Sequence, residues 1–306
     1  MTTPTNSVAS IGFMVAGMAI LGVIDNVVSL IAVDVGLWQF HMTRSAIAVP
    51  LVILVAGALG WRIWPNRFWW VFARSLFLSG AMVVYFGALG FFPISAVAAG
   101  LFTSLILVLF IDAVWSRRGI GPVRLLAAVL GFAGAMMVLN PETGGLGWTN
   151  LIPIIGGLFY AFGTVSTRKW CEGESAISLL WIYMAQMMVI GALALVYIEF
   201  IAGPGDGFLT RGLVTPSLFS WALIVARALF SLVGIGFIIQ AYLIGEATYV
   251  SIFEYSMLIF ASIAAYFIFG TVVGALGLAG MVIIIATGTV IALRSARAGA
   301  KKDSTE

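Results

Sequence analysis

The chain reads as an all-α integral membrane protein, with ten transmembrane helices laid out as two inverted five-helix repeats. Three observations predict that class. Of 306 residues, 62% are hydrophobic and 9% charged, with a mean hydropathy of +1.14, whereas a soluble domain carries roughly 25% charged residues. Apolar runs of 18 or more residues recur along nearly the whole chain, each long enough to cross a hydrocarbon core of about 30 Å. The chain also repeats itself. Displaced by 153 residues, Ala73-Arg74-Ser75-Leu76-Phe77 falls on Ala226-Arg227-Ala228-Leu229-Phe230, and Ser95-Ala96-Val97 falls without a gap on Thr248-Tyr249-Val250.

The ten spans follow in order, separated by proline and glycine punctuation. The first, 9–33, follows Met1–Ser7, which holds no Lys or Arg. It is too long for the apolar stretch of a signal peptide, so a retained first helix is expected. The second, 36–60, closes at Trp64-Pro65-Asn66-Arg67, and Phe92-Pro93 parts the third (67–92) from the fourth (94–116). The fifth, 121–140, ends at Asn140-Pro141-Glu142-Thr143-Gly144-Gly145, which divides the halves into 1–143 and 144–306 of one integrated membrane domain. The sixth (147–169) and seventh (176–200) precede the longest loop, which holds Gly203-Pro204-Gly205-Asp206-Gly207. The eighth, ninth and tenth span 217–243, 247–270 and 272–294, and a short basic tail follows. Most connections are very short, so neighbouring helices should pair as antiparallel hairpins. Gly274, Gly277 and Gly280 recur every third residue in the last span. Small residues at that spacing admit a close helix, within the chain or in a homodimer.

Charge sets the orientation. With the N-terminus cytosolic, the inner loops and tail hold Arg62, Arg67, Arg117, Arg118, Arg124, Arg168, Lys169, Arg294, Arg297, Lys301 and Lys302, and the outer loops hold Arg211. Eleven against one predicts both termini in the cytosol of a cytoplasmic-membrane protein. Five helices per repeat, an odd number, makes the second repeat enter from the opposite face, which implies alternating access around a midplane site.

The same composition excludes several classes. The net charge of +3 is spread between apolar spans, without a basic stripe carrying interleaved aromatics, so no nucleic-acid partner is expected. A single cysteine, Cys171, allows neither an internal disulfide nor a multi-cysteine metal site. Neither a metal nor a cofactor is expected. A phosphate-binding Gly-x-x-x-x-Gly-Lys-Ser/Thr loop is absent. With one His, one Cys and no paired acids in a span, a membrane-embedded enzyme is disfavoured.

Ionisable groups in hydrocarbon cost roughly 2.5–3.5 kcal/mol on insertion scales and face a cavity or a partner. The candidates are Asp25, His41, Arg44, Arg74, Asp112, Arg227 and Glu254. Glu254 reads either as a proton-coupling carboxylate or cation anchor, or as a structural group in an ion pair with an arginine or a helix-to-helix hydrogen bond; Asp25 is the second coupling candidate. His41 and Arg44 share a helix face, and Arg44 is either a substrate anchor or the partner of Asp25. Arg74 and Arg227 occupy the same place in each repeat, as opposed gates or as arginines snorkelling near helix starts. Asp112 is expected to pair locally beside Arg117 and Arg118. Asn26, Gln39, Gln186 and Gln240 are amides that need partners or a wet cavity. Among the aromatics, Tyr85, Tyr160 and Tyr255 are candidates for the substrate surface, alongside Trp38, Trp181, Tyr183, Tyr242 and Tyr249. Trp61, Trp64, Trp69, Trp70, Trp115, Trp148 and Trp170 read as an interfacial belt.

The run Phe253-Glu254-Tyr255-Ser256-Met257-Leu258 through Phe269-Gly270-Thr271, its first-half counterpart Gly100–Trp115, and Leu130-Gly131-Phe132-Ala133-Gly134-Ala135-Met136-Met137-Val138-Leu139 carry a resemblance. The pattern resembles the drug/metabolite transporter superfamily, and within it the EamA-type ten-helix carriers. In that family the fourth helix of each repeat often carries a central Pro and a closing Gly-Glu, and a Gly-rich fifth helix follows. Here Tyr255 stands at the proline position and Thr271 at the closing glutamate. The Arg44 region matches a frequent family arginine. The resemblance implies a secondary carrier, active or facilitative, for a small organic metabolite: an amino acid, an aromatic or flavin-like compound, or an organic anion. The alternative it implies is a lipid-carrier flippase. The expected partners are the small-molecule substrate and membrane lipid.

Overall fold

The computed structural model describes residues 7–88, 92, 94–117, 119–140 and 151–303, and the backbone alone at 7, 94–96 and 294–303. The expected divide at Pro141–Gly145, Pro93, Arg118, Trp148 and the side chains of the basic tail lie outside the described residues.

Among the described residues, ten helices are long and apolar enough to cross a membrane. They are α1 (Val8–Ala32), α2 (Leu37–Ala58), α3 (Phe68–Ala88), α4 (Val97–Ser116), α5 (Pro122–Leu139), α6 (Leu151–Trp170), α7 (Ala176–Ala202), α8 (Leu218–Ile244), α9 (Ala247–Phe269) and α10 (Ala275–Leu293). The chain is all-helical, as expected, and multi-pass. Because the helices alternate in direction, the odd-numbered ones start at one face, called the first, and the even-numbered ones at the second. The surface turned away from the bundle is apolar, with Leu54, Val114, Phe200, Leu218 and Phe267 exposed. Trp61, Trp64, Trp69 and Trp70 are also exposed, at the first-face ends of α2 and α3, where an aromatic belt belongs.

The pairing of helices follows a pattern. α3 lies along α6 and α1 along α8, both antiparallel; α4 lies along α6 and α1 along α9, both parallel. α2 pairs with α7, and α5 with α10. Replacing each helix by the one five places away maps this set onto itself. Small residues bring the helices together. A Cβ on Gly17 would lie 2.8 Å from the Gly234 carbonyl, one on Gly22 2.7 Å from that of Met257, and one on Gly191 2.8 Å from that of Trp38. Gly134 of α5 and Gly280 of α10 face each other backbone to backbone. The glycine stripe of the last span therefore packs, at Gly280, within the chain; Gly274 meets open space.

Three helices are interrupted. In α1, Asn26 donates its amide to the carbonyls of Gly22 and, at 3.1 Å, Ala261 of α9. In α4, a turn at Thr103 is held by its own hydroxyl on Gly100. In α9, a tight 3₁₀ stretch, Ser251–Tyr255, separates two α-helical pieces and carries Glu254. Mid-helix 3₁₀ segments mark hinges or sites under constraint.

The loops tie one half to the other. Glu174, between α6 and α7, accepts from the backbone N–H groups of Asn66 (2.9 Å) and Arg67 (2.7 Å), just before α3. Asp34, between α1 and α2, accepts from the Ser217 N–H and the Ser220 hydroxyl, each at 2.8 Å, at the start of α8. These bonds hold the Asp34 carboxyl below the ordinary value of 3.8.

Two outcomes follow. Substituting Gly134→Val forces a side chain onto the Gly280 carbonyl, 2.8 Å from the new Cβ. Overpacking of this kind costs about 1–3 kcal/mol, so the melting temperature in detergent should fall by several degrees. Gly12→Ala, where a Cβ meets nothing within 4 Å, should leave it unchanged. Asp34 titrates lower in the folded state than in the unfolded one. Its contribution is therefore present above 3.8 and fades as pH falls through the lower folded value. The deficit in melting temperature of Asp34→Asn should be constant from neutral pH to about pH 5 and close below about pH 4.

Candidate functional site

Among the described residues, the buried ionisable side chains and the tyrosines between them form one line through the bundle. It starts near the second face with Asp25 of α1 and Arg227 of α8, where Oδ1 and Nη2 stand 2.6 Å apart. The contact is an ion pair without good hydrogen-bond alignment. It is closed on the arginine side and open on the other: the Arg227 side chain is 9% exposed and that of Asp25 35%.

Next comes Arg44 of α2, 3% exposed. Its guanidinium touches the Met184 sulfur at 4.0 Å and lies against the Phe40 ring at 5.8 Å. The Tyr183 hydroxyl of α7 also reaches it. Its Nε has no acceptor. His41, one turn earlier, is buried with both ring nitrogens unpartnered and its ring set edge-on to Phe86 at 4.7 Å.

Tyr183 is the junction, with Arg44, Arg227 and Arg74 all within electrostatic reach of its hydroxyl. Arg74 of α3 is 2% exposed. Its Nε donates to Thr167 Oγ1 of α6 at 2.6 Å, and its Nη1 has no acceptor. Tyr160 and Cys171 are close to the same guanidinium. Burial pushes the Cys171 thiol, just beyond α6, up to about 11.

The line ends at Glu254 in the 3₁₀ stretch of α9, 4% exposed. Tyr242 of α8 donates its hydroxyl to Oε1, Tyr160 of α6 lies against the same carboxylate, and Thr164 reaches Tyr242. Among the described residues, no carboxylate stands at ion-pair distance from Arg44 or Arg74, and no cation at that distance from Glu254.

Several expectations are corrected by this geometry. Asp25 pairs with Arg227 and not with Arg44. Of the two structural readings of Glu254, the helix-to-helix hydrogen bond is present, from Tyr242 of α8, and the arginine pair is not. Arg74 and Arg227 do not snorkel, since both are buried in helix contacts. Asp112 pairs with Lys169 at 3.3 Å and accepts from the Ser116 hydroxyl, where Arg117 and Arg118 are the expected partners; Arg117 stands in the left-handed conformation at the helix end. Tyr255 lies outside the line: it is fully buried, stacked on Phe102, pressed on Gly131 of α5 and bonded to the Ala128 carbonyl. Three of the amides are structural ties. Gln39 clamps Val214 in the loop before α8 through both its N–H and its carbonyl, and Gln186 joins Ser79 and Phe72 of α3. Asn26 joins α1 to α9. Gln240 is partly buried in α8, and Tyr85 of α3 is partly buried within reach of Asp25.

Thr164 and Thr167 were not singled out by the sequence, and Tyr183 and Tyr242 were only named among many aromatics. A signal existed in Gly163-Thr164-Val165-Ser166-Thr167, a polar stretch in the span of lowest mean hydropathy, 1.2. A groove of about 280 Å³ at the second-face ends of α5, α9 and α10 lies away from this line, and its described lining includes Asn140 and Thr271 but no charged side chain.

Comparison with known proteins adds names to the geometry. No protein-family model matches the chain. It is 27% identical over 152 residues to a riboflavin transporter of Rhizobium johnstonii, covering 49% of this chain and 46% of that protein. It is 23% identical over 278 residues to a riboflavin transporter of Vibrio cholerae, covering 89% of each. It is 27% identical over 187 residues to an S-adenosylmethionine uptake transporter of Rickettsia felis, covering 60% of this chain and 56% of that protein. The chain thus spans about half the length of the first and third of these relatives and nine-tenths of the second. A solved crystal structure superposes with a TM-score of 0.77 over 95% of this chain and 99% of that one, at 16% identity, and so shares the fold.

The ion pair makes a direct prediction. Removing one partner of a buried pair costs about 3–5 kcal/mol, less here because Asp25 is 35% exposed. Asp25→Asn should lower the melting temperature more than the double variant Asp25→Asn/Arg227→Gln does. Additive losses in that double-mutant cycle would remove the pair from the account of stability.

Proposed function

We propose that the chain is a secondary carrier that moves a small organic metabolite across the cytoplasmic membrane by alternating access. The observation that carries this reading is the line of buried ionisable groups from Asp25 to Glu254. A ten-helix protein has no structural need for three arginines at membrane depth, and such groups mark substrate and ion paths. The names of the relatives support the same class, with neither an enzymatic activity nor a soluble engine required. Both named substrates join a flat heteroaromatic ring to a polar tail. A flavin-like or other aromatic metabolite suits a path bordered by Tyr183, Tyr160, Tyr85 and Phe86.

The self-mapping pairs of helices, and the interruptions of α4 and α9 at matching places, support two inverted repeats, 1–143 and 144–306. The loop charges support cytosolic termini. This is the architecture of EamA-type carriers of the drug/metabolite transporter superfamily, to which we assign the chain. In this reading Arg44 anchors the substrate. Glu254, caged by Tyr242 and Tyr160, exchanges a proton during the cycle. Arg227 opens and closes against Asp25.

Uptake of labelled riboflavin and S-adenosylmethionine into proteoliposomes tests the proposal. Uptake of either above empty vesicles is expected, and it should be lost in Arg44→Ala while the protein still inserts and folds. Glu254→Gln should abolish any stimulation by an inward proton gradient. Wild-type uptake by Arg44→Ala would remove the anchor role, and failure to move either compound would remove this substrate class.

A further inference from the structure

The charges in the line do not balance. Arg227 has Asp25 at 2.6 Å. Glu254 is taken up by tyrosine hydroxyls. Arg44 and Arg74 remain, 3% and 2% exposed, and what they touch is neutral: a thioether, a threonine hydroxyl and the phenol of Tyr183. Nε of Arg44 and Nη1 of Arg74 are buried without any acceptor.

The contrast between the repeats sharpens the point. Arg74 and Arg227 stand 153 residues apart in register, and each reaches across to the helix paired with its own. Arg227 finds a carboxylate there and Arg74 finds only Thr167. Water can satisfy an orphaned N–H, but it cannot neutralise a buried guanidinium. An oxyanion does both, since its two or three oxygens match the guanidinium fork.

Depth places the two arginines in series. Arg44 sits 7 residues from the second-face start of α2, and Arg74 sits 6 residues from the first-face start of α3. At 1.5 Å per residue that is about 10 Å from one face and about 9 Å from the other, leaving roughly 10 Å between them. Tyr183, 7 residues from the first-face start of α7, stands about level with Arg74, and its hydroxyl lies within electrostatic reach of both arginines.

We propose that the carried metabolite bears an oxyanion, a carboxylate or a phosphate, and that Arg74 is a second anion-binding group that receives it from Arg44 past Tyr183. This rests on the carrier reading above and names the substrate chemistry within it. A neutral or purely cationic substrate would leave Arg74 without a carboxylate in reach, and Arg44 with only the more distant Asp25, which is already paired with Arg227.

The test is binding to the purified full chain in detergent, with ligand pairs that differ in the anion. Riboflavin is compared with riboflavin 5′-phosphate by flavin fluorescence. S-adenosylmethionine is compared with its decarboxylated form by thermal shift. The anion-bearing member of at least one pair should bind ten-fold tighter or more. Arg74→Gln should erase that preference while leaving the ligand-free melting temperature equal or higher, because an uncompensated buried charge has been removed. Arg74→Lys, which keeps the charge but not the fork, should retain part of the preference and serves if the glutamine variant does not fold.

Equal affinity within both pairs overturns the proposal, and so does a preference that survives Arg74→Gln. If neither pair binds, the flavin-like and S-adenosylmethionine-like substrate class fails. The anion inference is then decided by benzoate against benzamide and phenyl phosphate against phenol at millimolar concentration. A benzoate or phenyl phosphate preference lost in Arg74→Gln supports it; no preference in either comparison overturns it.

Discussion

An arginine in hydrocarbon demands an acceptor for its N–H groups and a counter-charge for its positive charge, and the interior of this protein is arranged around meeting that demand unevenly. Arg227 is satisfied by Asp25, whereas Arg44 and Arg74 are held by neutral groups alone. Desolvating a guanidinium without a partner works against the folded state. The bundle must offset that cost through close helix contacts, and the glycines at Gly17, Gly22, Gly134 and Gly191 supply them where backbones cross. The scaffold is therefore tightest at the helix crossings, and its strain is concentrated along the polar line.

The same tension accounts for the shape of α9. A regular helix from Ala247 to Phe269 would carry Glu254 and Tyr255 on neighbouring positions 100° apart. The 3₁₀ stretch changes that pitch locally. Glu254 turns toward Tyr242 and Tyr160 while Tyr255 fills the gap beside Gly131. One carboxylate is thereby delivered to the interior and one large ring to the α5 interface. A break at Thr103 in α4 occupies the corresponding place of the other half. Helices with built-in breaks can bend without losing a full set of backbone bonds.

Much of this was legible in the chain and some was not. The spans, their count and the special status of Arg74 and Arg227 follow from hydropathy and from a register of 153 residues. Those are properties of one residue type along one dimension. Which partner each charge takes is a property of two helices far apart in sequence, and there the reading failed. Arg44 was the reasonable partner for Asp25 because both lie at similar depth, yet α8 and not α2 packs along α1. Tyr255 is a plausible lining group by composition, but the 3₁₀ pitch over Ser251–Tyr255 turns it away from the polar line and onto α5, where it is fully buried. Thr167 carries no signal because a lone hydroxyl in an apolar run is common, and Tyr183 is one of many candidate aromatics; only a neighbouring guanidinium gives either its meaning.

The loop ties described above have a consequence for how the molecule comes into being. Glu174 accepts from the backbone just before α3, and Asp34 from Ser217 and Ser220 at the start of α8. Each tie joins segments more than a hundred residues apart. During synthesis the loop before α3 waits for more than a hundred later residues before its amides find this acceptor, whereas the acceptor for the start of α8 is made first. The order of emergence from the ribosome thus separates a tie that closes on arrival from one that must be held open.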